Sequence, residues 1–184
     1  QTVRTFIATI PEPEVAKRLI DAYQGFKRSA AAKNIRWINI ANLHVTVRFL
    51  GNLTAEQLDQ LPHELSLKLA GYQPCSLSFD RIIWFPSEKR PRIIATNFKS
   101  CPDFHAIALR AELASRAIGV SPDRRTFRPH LSLGLLKNKG PAPFDLQQPI
   151  IDLTMPVQKL SVLRSELTQS GPKYSELFSL SLGN

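Results

Sequence analysis

Two segments alternate so regularly that each admits little besides a β-strand with one buried and one polar face. In "NLHVTVRFLGN", Asn42 to Asn52, the period of two puts His44, Thr46 and Arg48 on one side. Val45, Val47 and Phe49 then fall on the other. In "RPHLSLGLLK", Arg128 to Lys137, His130, Ser132 and Gly134 share a face opposite Leu131, Leu133 and Leu135. Each strand thus offers a thoroughly apolar face to a core, and its opposite face leads with an imidazole and a hydroxyl. Such a strand is expected to line a polar cleft.

The rest of the chain supplies the elements around these two. "VRTFIATI" is a first strand closed by Pro11. Val15, Leu19, Tyr23 and Phe26 give the apolar stripe of a helix from about Glu12 to Ser29. Thr54 and Gln57 form a capping box ahead of a second helix, which Pro62 is expected to kink or divide, because proline lacks an N–H and clashes with the preceding turn. "CSLSFDRIIWF" and "IIATNF" flank the basic turn "EKRPR" as an antiparallel pair. A third helix runs from about Pro102 to Ile118 and stops at Gly119. After "HLSLGLL" comes the Pro-rich "KGPAPF", then two strands near "VQKLSVLRSEL" and "KYSELFSLSL" around the turn "QSGP". This order predicts an α+β fold with largely antiparallel sheets. A rough repetition, in which a helix and a basic approach precede His-x-Thr/Ser in a strand, predicts two similar lobes facing one another.

Composition narrows the partners. Of 184 residues, 24 are Lys or Arg against 15 Asp or Glu, a net charge of +9 that points to an anionic ligand, nucleic acid being the commonest. Cys75 and Cys101 are too few for a disulfide framework and show no metal-type spacing, so reduced thiols in a cytoplasmic protein are expected. The opening residues read as strand then helix and not as a signal peptide, and no apolar run is long enough to span a bilayer.

On spacing alone, His44 and His130 serve equally well as core or edge-strand histidines bonded to local partners. The words around them decide. "NLHVTVRFLG" and "FRPHLSLGLL" resemble the two signature motifs of the 2H phosphoesterase superfamily. The nearest branch is its RNA 2′,3′-cyclic phosphodiesterases, also called 2′-5′ RNA ligases. The likeness extends to "RTFIATIPEPEVAKRL", "RWINIANLHVTVRFLGNL", "RPRIIA" and "LRSELTQSGPKYSEL", and so covers nearly the whole chain.

The resemblance implies a single bilobal, pseudo-twofold domain over residues 1–184, with two mainly antiparallel sheets flanking a central cleft and helices outside. It implies hydrolysis of RNA 2′,3′-cyclic phosphate ends, or of related cyclic nucleotides, to 2′-phosphomonoesters. His44 would be the proton donor, His130 the proton acceptor, and Thr46 and Ser132 the hydroxyls on the phosphate oxygens. The residue types suit that chemistry: imidazole serves as acid or base near neutrality, and neutral hydroxyls stabilise developing charge without titrating. No metal and no cofactor is expected. A monomer is the default.

Relatives often carry arginine five residues after the second histidine; here Leu135 stands there, with Lys137 as a candidate replacement. Arg48, Arg128 and Tyr174 are further candidate substrate contacts. Arg124 and Arg125 could steer an RNA end. His63 and His105, which lack a hydroxyl partner, read as structural or surface residues. Three other functions stay open: joining of RNA ends through 2′-5′ linkages, non-catalytic RNA-end binding, and a zinc site on the two histidines.

Overall fold

The computed structural model describes residues 1–28, 33–146 and 152–184. In chain order the elements are β1 (Val3–Thr9), α1 (Pro13–Lys27), β2 (Ile35–Trp37), a 3-10 turn (Ile40–Asn42), β3 (Val45–Leu53), α2 (Ala55–Lys68), β4 (Cys75–Phe85) and β5 (Ile93–Phe98). Then follow α3 (Pro102–Ala117), β6 (His130–Leu136), β7 (Thr154–Val157), β8 (Lys159–Thr168) and β9 (Gly171–Ser181). The fold is α+β, and every strand pair is antiparallel. The strands run in the order β7-β4-β5-β6-β3-β1-β8-β9, with β2 added against β6.

Two parts of that order share one plan. β1, α1 and β3 form a strand, a helix and a returning strand, and β5, α3 and β6 repeat the plan. The echo extends to single residues. Ala8 of β1 stands opposite Thr46 and Ile7 opposite Arg48, so the register skips Val47. Ala95 of β5 stands opposite Ser132 and Ile94 opposite Gly134, so the register skips Leu133. Ile7-Ala8-Thr9 and Ile94-Ala95-Thr96 are the same three letters, and all six residues are buried. The two expected sheets join into one path through a single registered pair, Val45 with Leu131.

The bulges change the phase of both motif strands. Val45 and Val47 face the core as expected, but Leu50 and Leu53 take over from Phe49, which is 53% exposed. Leu131 and Leu133 are fully buried, whereas Leu135 is 36% exposed. An extra residue on one strand of a pair shifts the positions beyond it to the opposite face. Gly134 is needed where β2, β5 and β6 close together: a Cβ there would meet Ile35 Cγ2 at 2.4 Å.

Among the helices, α1 buries Ala16, Leu19 and Tyr23 and ends at Lys27; Ser29, its expected end, lies outside the described residues. The capping box of α2 is present, with the Gln57 amide donating to Thr54 Oγ1 at 3.2 Å and the Thr54 amide to Gln57 Oε1 at 3.0 Å. Pro62 does not divide α2, which continues from Ala55 to Lys68. Leu61 and Leu65 are both fully buried and hold the turns on either side of it, so packing overrides the local cost. Gly119, at φ +91°, turns the chain out of α3. No helix among the described residues is long and apolar enough to cross a membrane.

Candidate active site

β3 and β6 pair through Val45 and Leu131, near the start of each strand, which sets the two motif histidines at one seam. Each histidine is held in the same way. His44 Nδ1 lies 2.7 Å from the carbonyl oxygen of Asn42, and His130 Nδ1 lies 2.7 Å from that of Arg128. A carbonyl oxygen can only accept, so Nδ1 carries the hydrogen on both rings. In the neutral state both Nε2 atoms are therefore bare lone pairs, and protonation adds a donor at Nε2 alone. Thr46 Oγ1 lies 3.1 Å from His44 Nε2. It donates to the neutral ring and accepts from the protonated one.

Burial holds the pKa of His44 below the ordinary imidazole value. The Asn42 carbonyl opposes that shift, and a charge on His130 adds to it. His130 is also lowered, first by burial and further by the Arg128 guanidinium, against the pull of its own carbonyl partner. The two imidazoles thus lie within electrostatic reach of one another. Two cations at one seam are disfavoured, and an anion between them would draw both pKa values upward.

The surroundings of the two rings differ. His44 packs on Phe6, centroids 5.1 Å apart, and meets Tyr174 edge-on at 5.3 Å and 89°. Burial raises the pKa of the Tyr174 hydroxyl, with Arg4 opposing, so the phenol stays protonated. His130 instead lies flat on Phe85, with centroids 3.9 Å apart and 20° between planes. The Arg128 guanidinium sits 4.5 Å from the Phe85 ring centroid and donates to the Pro86 carbonyl at 3.1 Å.

The register brings His44, Thr46, His130 and Ser132 to this seam, with Tyr174 and Arg128 beside it. Two expected substrate contacts are used otherwise. Arg48 places its three guanidinium nitrogens on Glu112, the Phe49 carbonyl and the Ser121 carbonyl. Glu112 also accepts from Arg116 and from the Asp123 amide, both at 3.0 Å. Arg48 therefore braces the segment leading to His130 and is not a free cation in the cleft. Lys137 Nζ donates to the Lys33 carbonyl at 2.9 Å. Arg125 is tied to Asp123, whose carboxyl this partner pulls down to about 2. His105 accompanies Phe127 at the start of α3, and His63 is exposed on α2.

Phe85 escapes a sequence reading, because it reaches His130 from two strands away. The Ile-Ala-Thr repeat was legible in the letters and would have located both hydroxyls, since each alanine faces one of them.

A family model described as LigT-like phosphoesterase matches residues 10–95. The chain is 28% identical over 182 residues to a protein of Methanothermobacter thermautotrophicus named RNA 2′,3′-cyclic phosphodiesterase, covering 95% of this chain and 96% of that one. It is 25% identical over 178 residues to a protein of the same name from Archaeoglobus fulgidus, covering 95% and 98%. Its fold superposes on E. coli LigT complexed with 3′-AMP at a TM-score of 0.83, with 19% identity and full coverage of both chains.

Proposed function

We infer that this chain is a LigT-like phosphoesterase and hydrolyses RNA 2′,3′-cyclic phosphodiester ends to 2′-phosphomonoesters by acid–base catalysis between its two motif histidines, a reading supported by the sequence likeness and the fold. The observation that carries the reading is the pair of matching Nδ1–carbonyl anchors, which leave the two Nε2 atoms as the positions where these rings gain and lose protons. His130 Nε2 takes a proton from water, whose oxygen forms the new bond to phosphorus. The bond from phosphorus to O3′ breaks, and the proton on His44 Nε2 passes to that oxygen. Solvent then returns both rings to their starting states. Thr46 and Ser132 donate to the non-bridging oxygens, where charge builds in the transition state.

Phe85 restrains His130 from tilting, and Arg128, held at the same ring, adds positive potential for the anion. We assign the chemistry to one domain spanning residues 1–184, acting as a monomer on RNA ends in the cytoplasm. The direct test is incubation of an RNA bearing a 2′,3′-cyclic phosphate with the protein in EDTA, followed by identification of the product. A 2′-phosphate is expected. A 3′-phosphate, or an unaltered end, would overturn the reading.

A further inference from the structure

A cavity of about 150 Å³ lies beside the motif seam, with His44 as part of its lining. Ile10, Leu43 and Leu163 give it apolar walls, and Tyr174 and Glu176 close it from β9. The last two are two residues apart on one strand and so share a face. Asn42 also lines it, and its side-chain amide donates to the Pro172 carbonyl at 3.0 Å. That bond pins the β8–β9 hairpin to the turn before His44, so both walls are fixed before a ligand arrives. The volume equals about five waters, which suits one planar heterocycle.

Opening the cyclic phosphate does not cut the nucleotide chain: the leaving O3′ stays on the ribose that carries the terminal base. The proton donor must touch that ribose. With His44 as donor, the ribose lies on the His44 side of the phosphate, and its base extends toward this cavity. Around His130, Phe85 and Arg128 already occupy the corresponding space.

Glu176 supplies the one carboxylate among the described residues that line the cavity. Its Oε1 lies 3.7 Å from Lys159 Nζ. A carboxylate accepts hydrogen bonds and cannot donate them. We propose that this cavity seats the base of the terminal nucleotide and that Glu176 selects bases whose pairing edge donates, guanine first. Guanine sets its N1–H and N2–H side by side, one for each carboxylate oxygen. Adenine and cytosine offer a single amino group. Uracil offers a single N3–H, flanked by two carbonyl oxygens that repel the carboxylate. This inference rests on the catalytic reading above, which fixes His44 as the donor.

The experiment has two arms, each run on wild type and Glu176→Gln. Titration calorimetry measures binding of the four nucleoside 2′-monophosphates, and initial rates measure hydrolysis of the four nucleoside 2′,3′-cyclic phosphates. The guanosine ligand is expected to bind at least roughly tenfold more tightly than the uridine one, with the same order in kcat/KM. Glu176→Gln, which adds a donor, should narrow that gap to within about threefold. Equal binding in wild type, or a gap that Glu176→Gln preserves, would overturn the proposal. Selective binding without hydrolysis would support the pocket and overturn the catalytic reading. Hydrolysis with no selectivity in either arm would do the reverse.

Discussion

Val45 and Leu131 are the one registered pair between β3 and β6 among the described residues, and each directly follows a motif histidine. Both side chains are fully buried. The seam that assembles the polar site is therefore also a joint of the core. Continuing the register one step in each direction would set His44 toward Ser132 and Thr46 toward His130. His44 Nε2 already lies 3.1 Å from the hydroxyl of its own motif, Thr46 Oγ1.

His44→Ala and His130→Ala should each lower kcat on a 2′,3′-cyclic-phosphate RNA by about 10²–10⁴-fold. The double variant should be scarcely slower than either, because donor and acceptor act as one unit. Thermal unfolding should change little, since Val45 and Leu131 still hold the joint. Near-wild-type turnover in both single variants would remove the acid–base mechanism.

Both imidazole pKa values are lowered from 6.5 in the free protein, chiefly by burial. On the proposed mechanism the productive form carries one proton between the two rings, and kcat/KM reports the free enzyme. Its bell should peak below pH 6.5. The bound phosphate raises both values, so the kcat profile should lie at higher pH. The same shifts bear on folding: the unfolded chain binds more protons than the native one as pH falls through 6.5. The stability contributed by the neutral rings is complete above that pH and declines below it. A kcat/KM optimum above about pH 7.5 would contradict the burial argument.

Arg48→Ala should behave as a stability variant. It leaves Glu112 with Arg116 and the Asp123 amide, and strips the Ser121 carbonyl of its donor. A loss of about 2 kcal/mol is expected in urea unfolding, the scale of a hydrogen bond to a charged group. Arg48→Lys should recover little, because one ammonium cannot span three acceptors. The salt dependence of RNA binding should stay as in wild type; a slope reduced by about one would mean that Arg48 contacts phosphate after all.

Gly134→Ala should destabilise the fold by about 1–3 kcal/mol, the usual cost of overpacking. The new methyl would meet the Cγ2 of Ile35 at 2.4 Å. Adding Ile35→Ala removes that methyl and should recover part of the loss. If chemical denaturation shows no recovery in the double variant, the clash lies with the backbone of Arg36 instead, 3.3 Å away.

The heads of the two motif strands were legible because period-two alternation is local: His44 with Thr46 and His130 with Ser132 need no partner strand to be phased. Beyond Val47 and Leu133 the phase depends on bulges against β1 and β5, and the expectations for Phe49 and Leu135 fail there. Cations were the least legible. Arg48 looked like a cleft residue until Glu112, 64 positions away, claimed it. Pro62 marks the opposite limit, where two buried leucines outweigh a local breaker. The capping box, wholly local, came out as written.

The matched carbonyl anchors have a consequence for regiochemistry. A cyclic phosphate has two ester oxygens in nearly equivalent places, and a cradle with two like arms has no built-in handedness toward them. On the proposed chemistry, whether O2′ or O3′ departs is then decided away from phosphorus, by how the nucleoside lies between unlike neighbours. Phe6 and Tyr174 stand at one arm, and Phe85 stands at the other. The aromatic walls, and not the histidines, tell this site its left from its right.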